Sequence, residues 1–257
     1  MSKLSKPPLF MVLCQVNFVT VLKMANFIQD IQESLRKKGF PIYEEEIIQE
    51  FIIAKSQIHP EVAEKKRWVF SDIKRKQCVI LSTDSVVLET ICYEELETFI
   101  KTFEGVLETI QVTASPEFAV RIGLRYIDII KSDQSASLNE LIQEGLRGFA
   151  FDRVSGLSKP ESTSLTKTET PIGGILVVRT MFNSDNVVLP QDLATSKLKF
   201  DLPETNDNSI TLDIDHFAEL NIDFKSDEVL QTIRKLHTYT SEAFKVAVTP
   251  KALEQWK

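Results

Sequence analysis

The chain has 257 residues, 43% of them hydrophobic and 26% charged, with 30 Lys and Arg against 37 Asp and Glu and a net charge of -7. This is the composition of a folded globular protein, long enough for one large domain or two ordinary ones, and it excludes a disordered or membrane-embedded chain. The acidic balance opposes non-specific attraction to a phosphate backbone.

Pro7-Pro8 closes a polar tail, and Phe10 to Phe18 reads as the first strand. The apolar run from Leu9 to Phe18 is broken by Gln15 and Asn17 and is too short to span a bilayer, which points to a cytoplasmic protein. A helix is expected from about Val21 to Lys38, with Leu22, Phe27, Ile28, Ile31 and Leu35 on one face and Gly39 as its stop. Ile47 to Ala54 is a β-branched and aromatic run. Arg67 to Ile73, Gln77 to Ser82 and Val86 to Ile91 then form a meander, turning at Lys74-Arg75-Lys76 and Thr83-Asp84-Ser85. A long helix over about Tyr93 to Gln111 carries the stripe Leu96, Phe99, Ile100, Phe103, Val106, Leu107 and Ile110.

After Ser115-Pro116 the longest strand runs from Glu117 to Ile130. Val120, Ile122, Leu124 and Tyr126 point one way, and Arg121, Gly123 and Arg125 the other. A short helix from about Ser137 to Leu146 and an exposed loop at 152–161 follow. Strands are expected at 162–169, 174–182, 186–190 and 208–217, with an irregular insertion at 191–207 entered through Pro190. The last helix starts near Ser226, a residue suited to an N-cap, and reaches about Val248. The same series, strand, helix, four strands, long helix, thus recurs in 1–114 and 115–257. The expected architecture is α+β: two pseudo-duplicated β-α-β4-α units forming one curved antiparallel sheet with the long helices on one face.

Only eight glycines occur, and neither GxGxxG nor GxxxxGK[ST] is present, which removes dinucleotide-binding and P-loop readings. Cys14, Cys78 and Cys92 form no CxxC pair, so neither zinc nor disulfides are indicated. His59, His216 and His237 are widely separated, and no GxSxG elbow marks a nucleophile. No catalytic residue, metal ligand or cofactor is assigned.

Three constellations remain as candidates. Arg121 and Arg125 share a strand face with Gly123 between them, a pattern suited to clamping an anion or carboxylate, or equally to cross-strand ion pairs. Asp213 and Asp215 share a face with His216 opposite. Two such carboxylates would need a third oxygen ligand to hold Mg²⁺ in a metal-dependent enzyme. Lys65-Lys66-Arg67 and Lys74-Arg75-Lys76 flank Trp68 and Phe70, basic residues interleaved with aromatics as in single-stranded nucleic-acid sites, or simply solvated hairpin ends.

The chain also resembles an uncharacterised, sporadically distributed prokaryotic family. The matching residues are Pro7-Pro8-Leu9, Trp68-Val69-Phe70, Leu88-Glu89-Thr90 with Tyr93, and Arg121-Ile122-Gly123-Leu124-Arg125-Tyr126-Ile127-Asp128. At the end come Leu236-His237, Phe244, Thr249 and Trp256. Gln15 and Asn17 stand where that family often carries an acidic and a basic residue. The resemblance implies a defence or mobile-element setting and no particular activity. The element order is similar to the TATA-binding-protein-like fold, a likeness of shape that assigns no function. The expected function is a non-catalytic binding or interaction protein with a protein partner or a second copy of itself. The alternatives are a small anionic ligand in a cavity between the sheet and the C-terminal helix, nucleic acid at the basic hairpin, and metal-dependent catalysis at Asp213 and Asp215.

Overall fold

The computed structural model describes residues 4–52, 61–133, 135–149, 155–156, 160–184, 186–200 and 209–257. In chain order these form β1 (Leu9–Phe18), α1 (Met24–Lys37), β2 (Ile42–Ile52), β3 (Glu61–Ser71), β4 (Gln77–Leu81), β5 (Ser85–Thr90) and α2 (Leu96–Thr113). They continue with β6 (Phe118–Lys131), α3 (Leu138–Leu141), β7 (Glu161–Glu169), β8 (Gly174–Asn183), β9 (Ser209–Asp223), α4 (Ser226–Ala247) and α5 (Pro250–Gln255). Short 3₁₀ turns lie at Glu144–Leu146 and Gln191–Thr195.

All nine strands join one antiparallel sheet in the order β2-β3-β4-β5-β1-β6-β9-β8-β7. The first strands of the two sequence halves, β1 and β6, are paired at its centre, with Gln15 opposite Gly123 and Leu13 opposite Arg125. The strand expected at 186–190 does not form. β8 is already paired on both sides, by β7 and by β9, so the segment cannot pair with the strand it follows. Instead, the chain beyond β8 crosses a sheet face, where the Val188 carbonyl accepts a hydrogen bond from the Thr211 hydroxyl at 2.6 Å. Among the described residues the second half therefore has three strands after its short helix, against four in the first.

One face of the sheet carries the main core. Val12, Cys14 and Val16 of β1, Phe70 of β3 and Ile122 and Leu124 of β6 are fully buried with Ile31 and Leu35 of α1, Phe103 and Leu107 of α2, and Ile233 and Leu236 of α4. Each such side chain contributes about 1.5–3 kcal/mol by leaving water. The helix ends follow from local chemistry. Gly39, at φ 101°, closes α1, with the Phe40 N–H donating to the Leu35 carbonyl at 3.0 Å. This is the left-handed cap that a side chain would strain. The start of α4 differs from expectation. Lys225 occupies the N-cap, while Ser226 is already helical and donates its hydroxyl to Gln111 Oε1 at 3.3 Å. The preceding Phe224 sets that entry, being buried and bonded through its N–H to the Glu117 carbonyl at 2.9 Å. Thr249 does cap α5, accepting from the Ala252 N–H at 3.2 Å.

Among the described residues, no α-helix contributes to the cluster on the opposite face. Met11, Val69, Cys78, Ile80 and Ile127 are covered there by Leu193 and Leu198 of the segment that follows β8. That segment forms a strap, fastened by Arg125 to Asp192, by the Ser196 hydroxyl donating to Glu89 Oε2 at 2.6 Å, and by Lys197 to Glu46 at 3.0 Å. No described helix is long and apolar enough to cross a membrane.

Candidate functional site

Antiparallel pairing places residues directly opposite one another on the same face, so the registers arrange the strapped face in rows. One row reads Glu89, Leu13, Arg125, Asp215. The next reads Ile80, Val87, Gln15, Gly123, Phe217. A third reads Ser85, Asn17, Arg121, Glu219. Neighbouring rows are about 6.7 Å apart, two residues along an extended strand.

Over the middle row lies a cavity of about 290 Å³. Leu13, Ile48, Ile80, Val87 and Leu193 supply its apolar lining, and Gln15, Ser82 and Ser85 its neutral polar groups. Lys65, Arg67, Arg121 and Arg125 are its cations, and Glu89, Asp192 and Asp215 its acids. The volume sits at the lower end of the roughly 300–1,000 Å³ of small-molecule sites, which suits a ligand far smaller than a dinucleotide. Gly123 keeps the floor low. A Cβ there would lie 3.4 Å from Phe217 Cβ and 3.5 Å from Arg121 Nη1.

The two arginines of β6 have different fates. Arg125 is 8% exposed and bound to Asp213 by two parallel bonds, Nε to Oδ1 at 2.7 Å and Nη2 to Oδ2 at 2.8 Å. Its third nitrogen, Nη1, reaches Asp192 on the strap. Its donors are thus engaged within the protein, and its charge holds the strap over the cavity. Arg121 leans over Gly123 and lays its guanidinium on the Phe217 ring, 4.2 Å from the centroid. Among the described residues it makes no ion pair.

The acids also divide. Asp213 is 2% exposed, held by Arg125 and by Arg179 Nη1 at 3.2 Å. Asp215 is half-buried, lines the cavity and has no hydrogen bond or ion pair among the described residues; burial pushes its pKa up. Glu89, 6% exposed, accepts from Ser196 and, at 3.5 Å, from the Cys78 thiol, and burial raises its pKa as well. Among the described residues no three His, Cys, Asp or Glu side chains converge as a metal site.

His216 faces the helices. Its Nδ1 donates to the Leu236 carbonyl at 3.1 Å, which leaves Nε2 to accept from the Thr170 hydroxyl at 2.9 Å. Burial pushes its pKa down. His237 meets the Tyr126 hydroxyl through Nδ1 at 2.9 Å, and His59 lies outside the described residues. His216, Tyr126 and His237 thus fill the space between β6, β9 and α4. The cavity lies on the other side of the sheet from the C-terminal helix, not between sheet and helix as expected.

The basic hairpin is organised by acids. Asp72 Oδ1 accepts from the backbone N–H groups of Lys76 at 2.7 Å and Gln77 at 2.8 Å, a turn that needs a carboxylate rather than cations. Arg75, at φ 52°, pairs with Glu44, Arg67 with Glu46, Lys66 with Glu45 at 2.7 Å and Lys65 with Asp84 at 2.9 Å. Much of the positive charge over residues 65–76 is therefore matched locally. Trp68 and Phe70 are buried under the helices, and no base can stack on them.

Sequence reasoning missed Lys65, Ser82, Ser85, Glu89 and Asp192 as cavity residues. The one local signal was an acid, Glu89, directly after the apolar run Val86-Val87-Leu88. No protein-family profile, curated protein or solved structure matches this chain.

Proposed function

We propose that the protein is a non-catalytic binding protein that holds a small anionic ligand in the cavity beneath the strap, anchored by Arg121. The observation that carries this reading is Arg121 itself. It is a cation with no ion pair among the described residues, pre-positioned on an aromatic ring at the wall of a 290 Å³ cavity. A guanidinium held in this way presents planar donors to a carboxylate or phosphate with little ordering left to do. Lys65, Ser82 and Ser85 line the same cavity and make its wall polar, with Lys65 and Ser82 bonded to Asp84. The strand order runs outward from β1 to β2 and from β6 to β7, which supports the companion reading of two related halves meeting at the β1–β6 pair, close to the cavity floor.

The test is a thermal-shift and calorimetric screen of inorganic phosphate and short mono- and dicarboxylates, run on wild type and on Arg121→Met. Binding by wild type that weakens roughly tenfold or more in the variant supports the reading, since a hydrogen bond to a charged group is worth about 1.5–3 kcal/mol. Binding that Arg121→Met leaves unchanged, or no binding at all together with a bare chain mass in native mass spectrometry, overturns it.

A further inference from the structure

The cavity holds two opposite charges that do not meet. Arg121 and Asp215 both line it, and neither makes an ion pair among the described residues. Register explains the gap. Asp215 lies across from Arg125, whereas Arg121 is four residues further along β6 and lies across from Glu219. Arg121 shortens the separation by leaning over Gly123, but Phe217 holds its guanidinium there. About one row, roughly 6.7 Å, still separates the guanidinium from the row of Asp215. Direct contact is prevented, while both groups remain open to one bound molecule.

Their neighbours keep the charges apart. On the acidic side, Arg125 is engaged with Asp213 and Asp192, so it does not quench Asp215 by a direct bond. Arg67 is paired with Glu46, and Lys65 with Asp84. Burial raises the pKa of Asp215, and Arg125 and Arg121, near it but not bonded to it, offset only part of that rise, which an incoming ammonium group would oppose further.

We propose that the ligand is a small zwitterion, an amino carboxylate whose anionic end meets Arg121 and whose ammonium group meets Asp215, with its carbon skeleton over Gly123. The inference rests on the anion reading above and adds the second charge. Gly123 leaves room for the skeleton, the apolar lining of Leu13 and Val87 suits methylene groups, and the volume suits a molecule of amino-acid size.

The experiment compares glycine, β-alanine and 4-aminobutyrate with their amine-free counterparts acetate, propionate and butyrate. Binding is measured by calorimetry and by NMR titration on wild type, Asp215→Asn and Arg121→Met. The expected result is that at least one amino carboxylate binds wild type about tenfold or more tightly than its counterpart. Asp215→Asn should remove that preference while keeping the affinity for the simple acid within about twofold, and Arg121→Met should weaken both. Equal affinity for both members of every pair, still dependent on Arg121, overturns the zwitterion and leaves the anion reading standing. Absence of binding by all six overturns the zwitterion, while the phosphate and dicarboxylate screen separately decides the anion reading. Neither substituted residue has a bond that the fold depends on. Should a variant nonetheless fail to fold, the paired affinities of wild type alone decide the question.

Discussion

Breaking the Arg125–Asp213 pair is the sharpest test of how this face is built. Arg125→Met keeps most of the side-chain volume but removes three donors. It leaves Asp213, 2% exposed, with Arg179 at 3.2 Å as its one remaining cation among the described residues, and it unfastens Asp192 on the strap. A buried carboxylate stripped of its main partner costs about 3–5 kcal/mol, a large share of the 5–15 kcal/mol by which ordinary domains are stable. With a urea slope near 3 kcal/mol/M, the unfolding midpoint should fall by about 1–1.7 M at pH 7. Arg125→Met with Asp213→Leu should recover most of the stability, since paired apolar replacements of buried ion pairs are often neutral. Urea titrations of the two single variants and the double variant measure this directly. A single variant that costs less than about 1 kcal/mol, or a double variant as unstable as the sum of the singles, would refute the description of Arg125 as a structural clamp.

Three further outcomes are expected. Asp128 is 3% exposed, and burial holds its pKa up at about 8, so its folded pKa lies above the unfolded one and its carboxyl destabilises progressively as pH rises toward 8. Asp128→Asn should therefore stabilise the protein above pH 8 and change little near pH 3, as read by thermal melts across that range. His216 has the opposite sign. Its folded pKa is depressed, so the folded state binds fewer protons and stability falls as pH drops below about 6.5. His216→Gln should flatten that fall relative to wild type, and parallel slopes in the two proteins would contradict it. Gly174→Ala would place a Cβ 2.7 Å from His216 Nε2 and 2.9 Å from the Phe217 carbonyl, an overpacking that should cost about 1–3 kcal/mol in calorimetry.

The sequence by itself determined the local elements and their facing. The alternation of Arg121, Gly123 and Arg125 against Ile122, Leu124 and Tyr126 specifies which side chains of β6 leave the core, because a strand has only two faces. The stripe on α2 and the Gly39 stop of α1 are equally local, set by helical period and by the freedom of glycine at positive φ. What only the tertiary structure decided is which of those exposed groups are available. Arg121 and Arg125 are equivalent in pattern, yet Arg125 meets Asp213, 88 residues away, and Asp192, 67 residues away, while Arg121 meets an aromatic ring. The segment at 186–190 has a strand-like composition, yet it cannot pair with β8, already paired on both sides, and it becomes part of the crossing to the strap. Hydrogen-bond capacity and charge balance are settled between strands that are distant in the chain, so pairing order, not residue type, decides which of the two cavity arginines is spent on ion pairs.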